Sequence, residues 1–120
     1  MEKIIAYLQA STNKQDLNHQ RLEILEFARE KRLHVSKFVE ITLFSHKASQ
    51  QRLIDELIET LGETGTLIVT ELSRLGQSTA EVTSLINALI HRNIRVIIIK
   101  QNLDIRHQGR KVTKMKELLA

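Results

Sequence analysis

A group of polar residues lies directly after the first apolar stretch of the chain, residues 3–8 (KIIAYL). Gln9, Ser11 and Thr12 follow this stretch within four residues. A serine hydroxyl can act as a nucleophile when neighbouring groups activate it. Serine and threonine are also common residues at the start of a helix. Residue types alone therefore leave three interpretations of Ser11 open: a nucleophile, a helix cap and an ordinary loop residue.

Hydroxyl, amide and cationic side chains also follow the later apolar stretches. Lys14 and Gln15 also follow the first stretch, and the residues that follow the later stretches are Ser45, His46, Lys47, Arg52, Ser73, Arg74 and Gln77. Cations and preorganised donors stabilise the charge that develops when a hydroxyl attacks a phosphodiester. The bland alternative is that Ser11 or Thr12 only starts a helix and that Arg74 is a surface arginine.

The alternation of apolar and helix-period segments predicts the elements that must position these residues. Strands are predicted at 3–8, 34–41, 66–72 and 94–100, with a short one at 103–105. Helices are predicted at 16–32 and 51–61, from Thr79, where Ser78 and Glu81 fit a capping box, and from Val112. The order predicts a doubly wound α/β fold, with a mostly parallel four- to five-stranded sheet, helices on both faces and flavodoxin-like layering. Because parallel strands end at one edge of the sheet, the polar residues are expected to meet there.

Several α/β chemistries are excluded by the same positions. The first strand–helix turn has no glycine, so it lacks the dinucleotide fingerprint and the Walker phosphate loop. The five histidines show no metal-ligand spacing, and cysteine is absent. Aromatic residues make up 3% of the chain, too few for a surface that stacks single-stranded bases. Contact with DNA would therefore go through phosphates.

The overall composition fits one small globular domain. The chain has 120 residues, a formal net charge of +4 and a pI of about 9.6, which permits a polyanionic partner without requiring one. It has no apolar run of membrane-spanning length and no signal-peptide pattern. We therefore expect a cytoplasmic protein.

Three segments resemble the N-terminal catalytic domain of the serine site-specific recombinases, the resolvases and DNA invertases. AYLQASTNKQDLNHQ (6–20) is similar to the family's opening, and VTELSRLGQSTAEV (69–82) is similar to its third-strand motif. KASQQRLIDELIETL (47–61) resembles the region that carries another active-site arginine. The resemblance runs from Met1 to about Ile105.

The resemblance implies DNA cleavage and rejoining through a 5′-phosphoserine link, without a metal or other cofactor. It implies that Ser11 is the nucleophile and that Arg52 and Arg74 are cations that bind the phosphate. The supporting or substituted positions are Tyr7, Gln9, Gln15, Gln20, Ser73 and Gln77. The implied partners are DNA and further copies of the chain, as a dimer or tetramer.

Substitutions at positions of the family motif are the first of two departures from the family pattern, and they weaken this expectation of activity. Gln9 and Gln77 stand where the family has arginines, and Ser73 stands where it has an acidic residue. Glutamine donates hydrogen bonds but does not neutralise a phosphate. The sequence therefore predicts either an impaired recombinase or a non-enzymatic relative that binds DNA weakly or pairs with active subunits. An unrelated flavodoxin-like module is the third hypothesis.

The second departure from the family pattern concerns the last residues of the sequence. Residues 1–105 are interpreted as the catalytic domain, and residues 106–120 as a basic loop and the start of a truncated C-terminal helix, with no DNA-binding helix-turn-helix present. Basic residues predicted to contact DNA phosphates are Lys14, Lys47, Arg106, Arg110, Lys111 and Lys114. Their alternative interpretation is a solvated basic surface.

Overall fold

The computed structural model describes residues 3–10, 14–42, 65–76, 78–108 and 111–113, together with Asp55, Glu59 and Leu61. The described strands are β1 (Ile4–Ala10), β2 (Lys37–Thr42), β3 (Thr66–Val69), β4 (Arg95–Ile98), β5 (Leu103–Gln108) and β6 (Lys111–Thr113). The described helices are α1 (Lys14–Lys31) and α2 (Thr79–His91), and a 3-10 helix covers Leu72–Arg74. Asp55, Glu59 and Leu61 are also helical, within the predicted helix 51–61.

The described strands form one sheet in the order β2-β1-β3-β4-β5-β6. The first four of these run parallel to one another, with registers that include Tyr7↔Val39 and Ile5↔Leu67. Strand β5 runs antiparallel to β4 and β6 antiparallel to β5. The fold-class prediction is therefore confirmed, and β6 adds one strand to the four or five that were expected.

Strand β1 lies inside the sheet, and its side chains contribute to two hydrophobic clusters, one on each face. Ile5 and Tyr7 belong to a cluster that also holds Leu61 and residues of α2 such as Leu89. On the opposite face, Ile4, Ala6 and Leu8 pack with Leu17 and Ile24 of α1. Alternation along one buried strand thus places helices on both faces, as the pattern of the sequence predicts.

Helix α2 begins at Thr79, as predicted from Ser78 and Glu81. The Ser78 hydroxyl accepts a hydrogen bond from the backbone N–H of Glu81 at 3.2 Å. This bond satisfies one of the N–H groups that lack a partner in the first turn of a helix. The local signal and the three-dimensional structure agree here because both depend on residues only three positions apart.

The C-terminal part of the described chain differs from the prediction. Arg106 lies in β5 rather than in a loop, and Lys111–Thr113 form β6 where a helix was predicted to begin near Val112. The pairing Arg106↔Thr113 and His107↔Val112 makes this segment a hairpin. Val112 and Thr113 are β-branched, so they fit a strand well once β5 offers an edge. The predicted strand 34–41 also begins later, at Lys37.

A buried carboxylate joins β4 to β5. Asp104 is 4% exposed and accepts hydrogen bonds from Arg95 Nε and Nη2, at 2.7 and 2.5 Å. Arg106 Nη2 donates to the same carboxylate at 3.3 Å. Burial alone would raise the pKa of Asp104, but the hydrogen bonds and charges of the two arginines outweigh it, so the pKa is lowered.

We predict that Asp104→Asn destabilises the fold by about 1.5–3 kcal/mol, the cost of losing hydrogen bonds to a charged group. Since the folded pKa lies below the unfolded value, the contribution of Asp104 is complete above about pH 4 and is lost as the pH falls further. Urea unfolding at several pH values measures both effects. Glu30→Gln, at an exposed position of α1, is the matched control and should change stability by less than about 0.5 kcal/mol. Equal stability of the Asp104 and Glu30 variants at pH 7 would contradict the prediction.

Candidate functional site at the C-terminal end of β1

The backbone of Gln9 is held by the side chain of Gln20 from α1. The Gln9 N–H donates to Gln20 Oε1 at 3.1 Å, and Gln20 Nε2 donates to the Gln9 carbonyl at 2.8 Å. The register between β1 and β3 ends at Ala6, so β3 does not pair with Gln9. The amide of Gln20, which is 3% exposed, supplies both hydrogen bonds at this point instead.

An arginine from the third-strand motif reaches the same place. Arg74 Nη1 donates to the Gln9 carbonyl at 3.2 Å and to Asp16 Oδ2 at 3.0 Å. Arg74 Nη2 donates to Asp16 Oδ1 at 3.1 Å, so the guanidinium and the carboxylate form a two-point ion pair. The 3-10 helix that follows β3 positions Arg74 for these contacts.

The four residues form a closed hydrogen-bonded network, which we call the β1-end network: Gln9, Asp16, Gln20 and Arg74. Gln20 Nε2 also donates to Asp16 Oδ2 at 3.2 Å, which completes the ring. Asp16 and Gln20 are four residues apart on α1 and therefore share one face of the helix. The formal charges of the four residues in the β1-end network sum to zero, because Asp16 offsets Arg74.

The side chain of Gln9 turns into the protein. It is 2% exposed, and its Nε2 donates to the Tyr7 hydroxyl at 3.3 Å. Burial raises the pKa of Tyr7 to about 12, although the hydrogen bond from Gln9 opposes the shift, so the hydroxyl is neutral at ordinary pH. Gln9, which was predicted to stand at an arginine position of the family, thus has an uncharged side chain whose amide bonds to a buried hydroxyl.

Arg74 keeps one donor without a partner. Its Nε is buried and has no hydrogen-bond partner among the described residues. Arginine has five N–H bonds, of which the β1-end network uses three. A buried donor without a hydrogen-bond partner costs free energy, so a further acceptor at this nitrogen would be favourable.

Ser73, predicted to stand at an acidic position of the family, bonds to Glu71 rather than to Arg74. Its hydroxyl donates to Glu71 Oε1 at 2.6 Å, and this hydrogen bond lowers the pKa of Glu71. Glu71 also lies 3.9 Å from Lys100 Nζ. The carboxylate that pairs with Arg74 comes instead from another element, helix α1.

The structure brings together four of the residues predicted for the site: Tyr7, Gln9, Gln20 and Arg74. Gln15 is exposed in the first turn of α1, Lys14 begins that helix, and Lys111 begins β6. Arg106 extends the β4–β5 register opposite Arg95, at the start of β4, and so lies at the other edge of the sheet. Outside the described residues lie Ser11, Thr12, Ser45, His46, Lys47, Arg52, Gln77, Arg110 and Lys114.

Asp16 is the residue of this site that the sequence did not reveal. An acidic residue in the first turn of a helix is common because it favours the positive end of the helix dipole. Its partner Arg74 is 58 residues away in the chain, so no local spacing indicates the ion pair.

Comparison with known proteins identifies the family. The model of the resolvase N-terminal domain matches residues 4–120. The chain belongs to the resolvase family. It is also 32% identical over 103 residues to Protein uvp1 of Escherichia coli, a match that covers 84% of this chain and 50% of that protein. The chain thus spans about half the length of this curated relative.

Solved structures confirm the fold of a serine recombinase catalytic domain. The N-terminal catalytic domain of TP901-1 integrase superposes with a TM-score of 0.67 at 21% identity, over 86% of this chain and 81% of that one. A resolvase family site-specific recombinase from Streptococcus pneumoniae gives a TM-score of 0.69 at 18% identity, over 87% and 76%. The C-terminal catalytic domain of IS1535 TnpA gives 0.62 at 19%, over 80% and 70%.

We predict that Gln20→Ala destabilises this resolvase-family domain by about 1–3 kcal/mol, because it leaves buried backbone groups of Gln9 without partners. His19→Ala is the matched control, since His19 is exposed on the same helix. Denaturant unfolding measures the difference between the two variants. Equal free energies of unfolding would show that the Gln20 contacts contribute nothing to stability.

Proposed function

We propose that this domain cleaves and rejoins DNA strands through Ser11 and does so slowly. The proposal rests on the family and on one observation. Arg74 donates a hydrogen bond to the carbonyl of Gln9, two residues before Ser11 in the chain. A cation therefore lies at the end of β1, close in the chain to the residue that the resemblance assigns as the nucleophile.

The proposed reaction is an in-line displacement at phosphorus. The Ser11 oxygen forms a bond to the phosphorus and loses its proton, while the bond to the 3′ oxygen breaks and that oxygen gains a proton. The products are a 5′-phosphoserine link and a free 3′-hydroxyl. Reversal rejoins the strands, and because the link conserves the energy of the phosphodiester, no high-energy cofactor is consumed. Arg74 would stabilise the charge on the transition state together with Arg52.

The low rate follows from the charges of the described site. Gln9 is neutral and turned towards Tyr7, and Arg74 is offset by Asp16. Loss of one preorganised donor typically costs about 10²–10³ in rate. Gln77 would be the second position without a cationic donor. The cleavage rate is therefore expected to be far below that of a site with arginines at both positions.

DNA is the proposed partner, bound through its phosphates and weakly. The described chain contributes few aromatic side chains, and the proposed contacts are Lys14, Lys47, Arg106, Arg110, Lys111 and Lys114. Such binding should weaken steeply with salt, because each phosphate contact releases counterions. Assembly into dimers or tetramers belongs to the same proposal.

The first test is covalent capture. A nicked duplex that releases the short fragment ending in the free 3′-hydroxyl after cleavage should accumulate a protein–DNA adduct over hours at low salt. Ser11→Ala should abolish the adduct, whereas Thr12→Ala should keep it. A complete absence of adduct, or an adduct that survives in Ser11→Ala, would contradict cleavage by Ser11.

A non-enzymatic relative is the second candidate, and the neutral charge of the β1-end network favours it. In this case the domain pairs with active recombinase subunits or binds DNA without cutting it. Absence of adduct together with measurable DNA binding would support this candidate over the first.

We predict that Gln9→Arg combined with Gln77→Arg increases the adduct rate at least about tenfold, since it restores two cations. Thr83→Arg combined with Asn87→Arg, at two exposed positions of α2, is the control for a general gain of positive charge. If both double variants react equally fast, the electrostatic account of the slow rate is wrong.

A further inference from the structure

The carboxylate of Asp16 competes directly with any phosphate for Arg74. The two residues share two hydrogen bonds, of 3.0 and 3.1 Å, through both terminal nitrogens of the guanidinium. These terminal nitrogens are also the donors with which arginine grips a phosphate bidentately. An anion from the chain itself therefore occupies this edge of the guanidinium.

The competing carboxylate is fixed in place. It accepts a third hydrogen bond from Gln20, whose amide is in turn bonded to the backbone of β1. Asp16 is only about one-third exposed, so solvent screens its charge incompletely. A phosphate that approaches Arg74 meets a negative charge that cannot swing away without breaking these contacts.

Ser73, the neighbour of Arg74 in the chain, supplies no negative charge to pair with it. The family motif carries its acidic residue next to the arginine, whereas Ser73 here bonds to Glu71. The acid that pairs with Arg74 is Asp16 of α1, which accepts hydrogen bonds from both terminal nitrogens of the guanidinium. Glu71 is a second negative charge near Arg74, already paired with Ser73 and Lys100.

We propose that Asp16 determines the DNA affinity of this site by holding Arg74 as a neutral ion pair. Removal of the carboxylate would free the N–H groups of the two terminal nitrogens of Arg74 that now bond to Asp16, and these could then donate to a phosphate oxygen. The proposal rests on the proposed function, because DNA phosphate is the ligand, but it concerns binding rather than cleavage.

The test is a double-mutant cycle with a short labelled duplex, measured by fluorescence anisotropy between low and moderate salt. Asp16→Asn should tighten binding by about tenfold, the order expected for one unit charge a few ångströms from a phosphate near a protein surface. Its log–log salt slope should steepen by about one unit. Arg74→Gln removes a cation and leaves the Asp16 carboxylate without its partner, so it should weaken binding, and Asp16→Asn should gain much less affinity in the Arg74→Gln background than in the unaltered chain.

Glu23→Gln is the matched control, because it removes one negative charge from an exposed position of the same helix and should change affinity less than twofold. Asp16→Ser serves as a second variant without the charge, should Asp16→Asn fail to fold. The proposal is overturned if the Asp16 variants bind no more tightly than Glu23→Gln, bind more weakly, or keep their gain in the Arg74→Gln background.

The outcome is separable from the test of cleavage. Tighter binding without a serine adduct would contradict the proposed reaction and leave the role of Asp16 intact. An adduct in the unaltered chain with no effect of Asp16→Asn on binding would support the proposed reaction and contradict the role of Asp16.

Discussion

The ion pair between Asp16 and Arg74 ties three separate parts of the chain to one point. Only three residues connect β1 to α1, so the end of the strand and the first turn of the helix must lie close together. Gln20 bonds the helix to the strand, and Arg74 brings the segment after β3 onto both. A change in any member leaves a buried polar group of another without its partner, which makes the network cooperative.

This constraint determines what the edge of the sheet can do. Three parallel strands deliver their ends to one edge, as in other doubly wound folds. Buried hydrogen bonds hold the frame around Gln9, and this frame includes an acid that offsets its cation. Under the proposed function, stability and phosphate affinity would be in conflict at this site, because the carboxylate that fixes Arg74 also lowers the positive charge available to a phosphate.

The sequence predicted what depends on local patterns and missed what depends on distant contacts. Apolar runs revealed β1, β3 and β4, and Ser78 with Glu81 revealed the start of α2, because these signals lie within a few residues. The alternation of Leu103 and Ile105 with Asp104 and Arg106 covers the first four of the six residues of β5, and only residues 103–105 were predicted as strand. Strand β6 forms because β5 provides an edge, which no local pattern of residues 111–113 reports.

The site shows the same division. Tyr7, Gln9, Gln20 and Arg74 were predicted from the family motif and lie together, whereas Asp16 was overlooked as an ordinary first-turn acid. The importance of Gln20 was visible from the motif, but its bonds to the backbone of Gln9 were not. Those bonds exist because the pairing of β1 with β3 stops at Ala6, which is a property of the folded sheet.

The most direct test of the whole account is a crystal structure of the Ser11→Ala variant bound to a duplex with a nick at the cleavage position. The account predicts that one phosphate lies within hydrogen-bonding distance of Arg74 and next to residue 11, and that Arg74 has exchanged Asp16 for this phosphate. A phosphate beside residue 11 with Arg74 still paired to Asp16, or a separation too large for both residues to meet one phosphate, would contradict it.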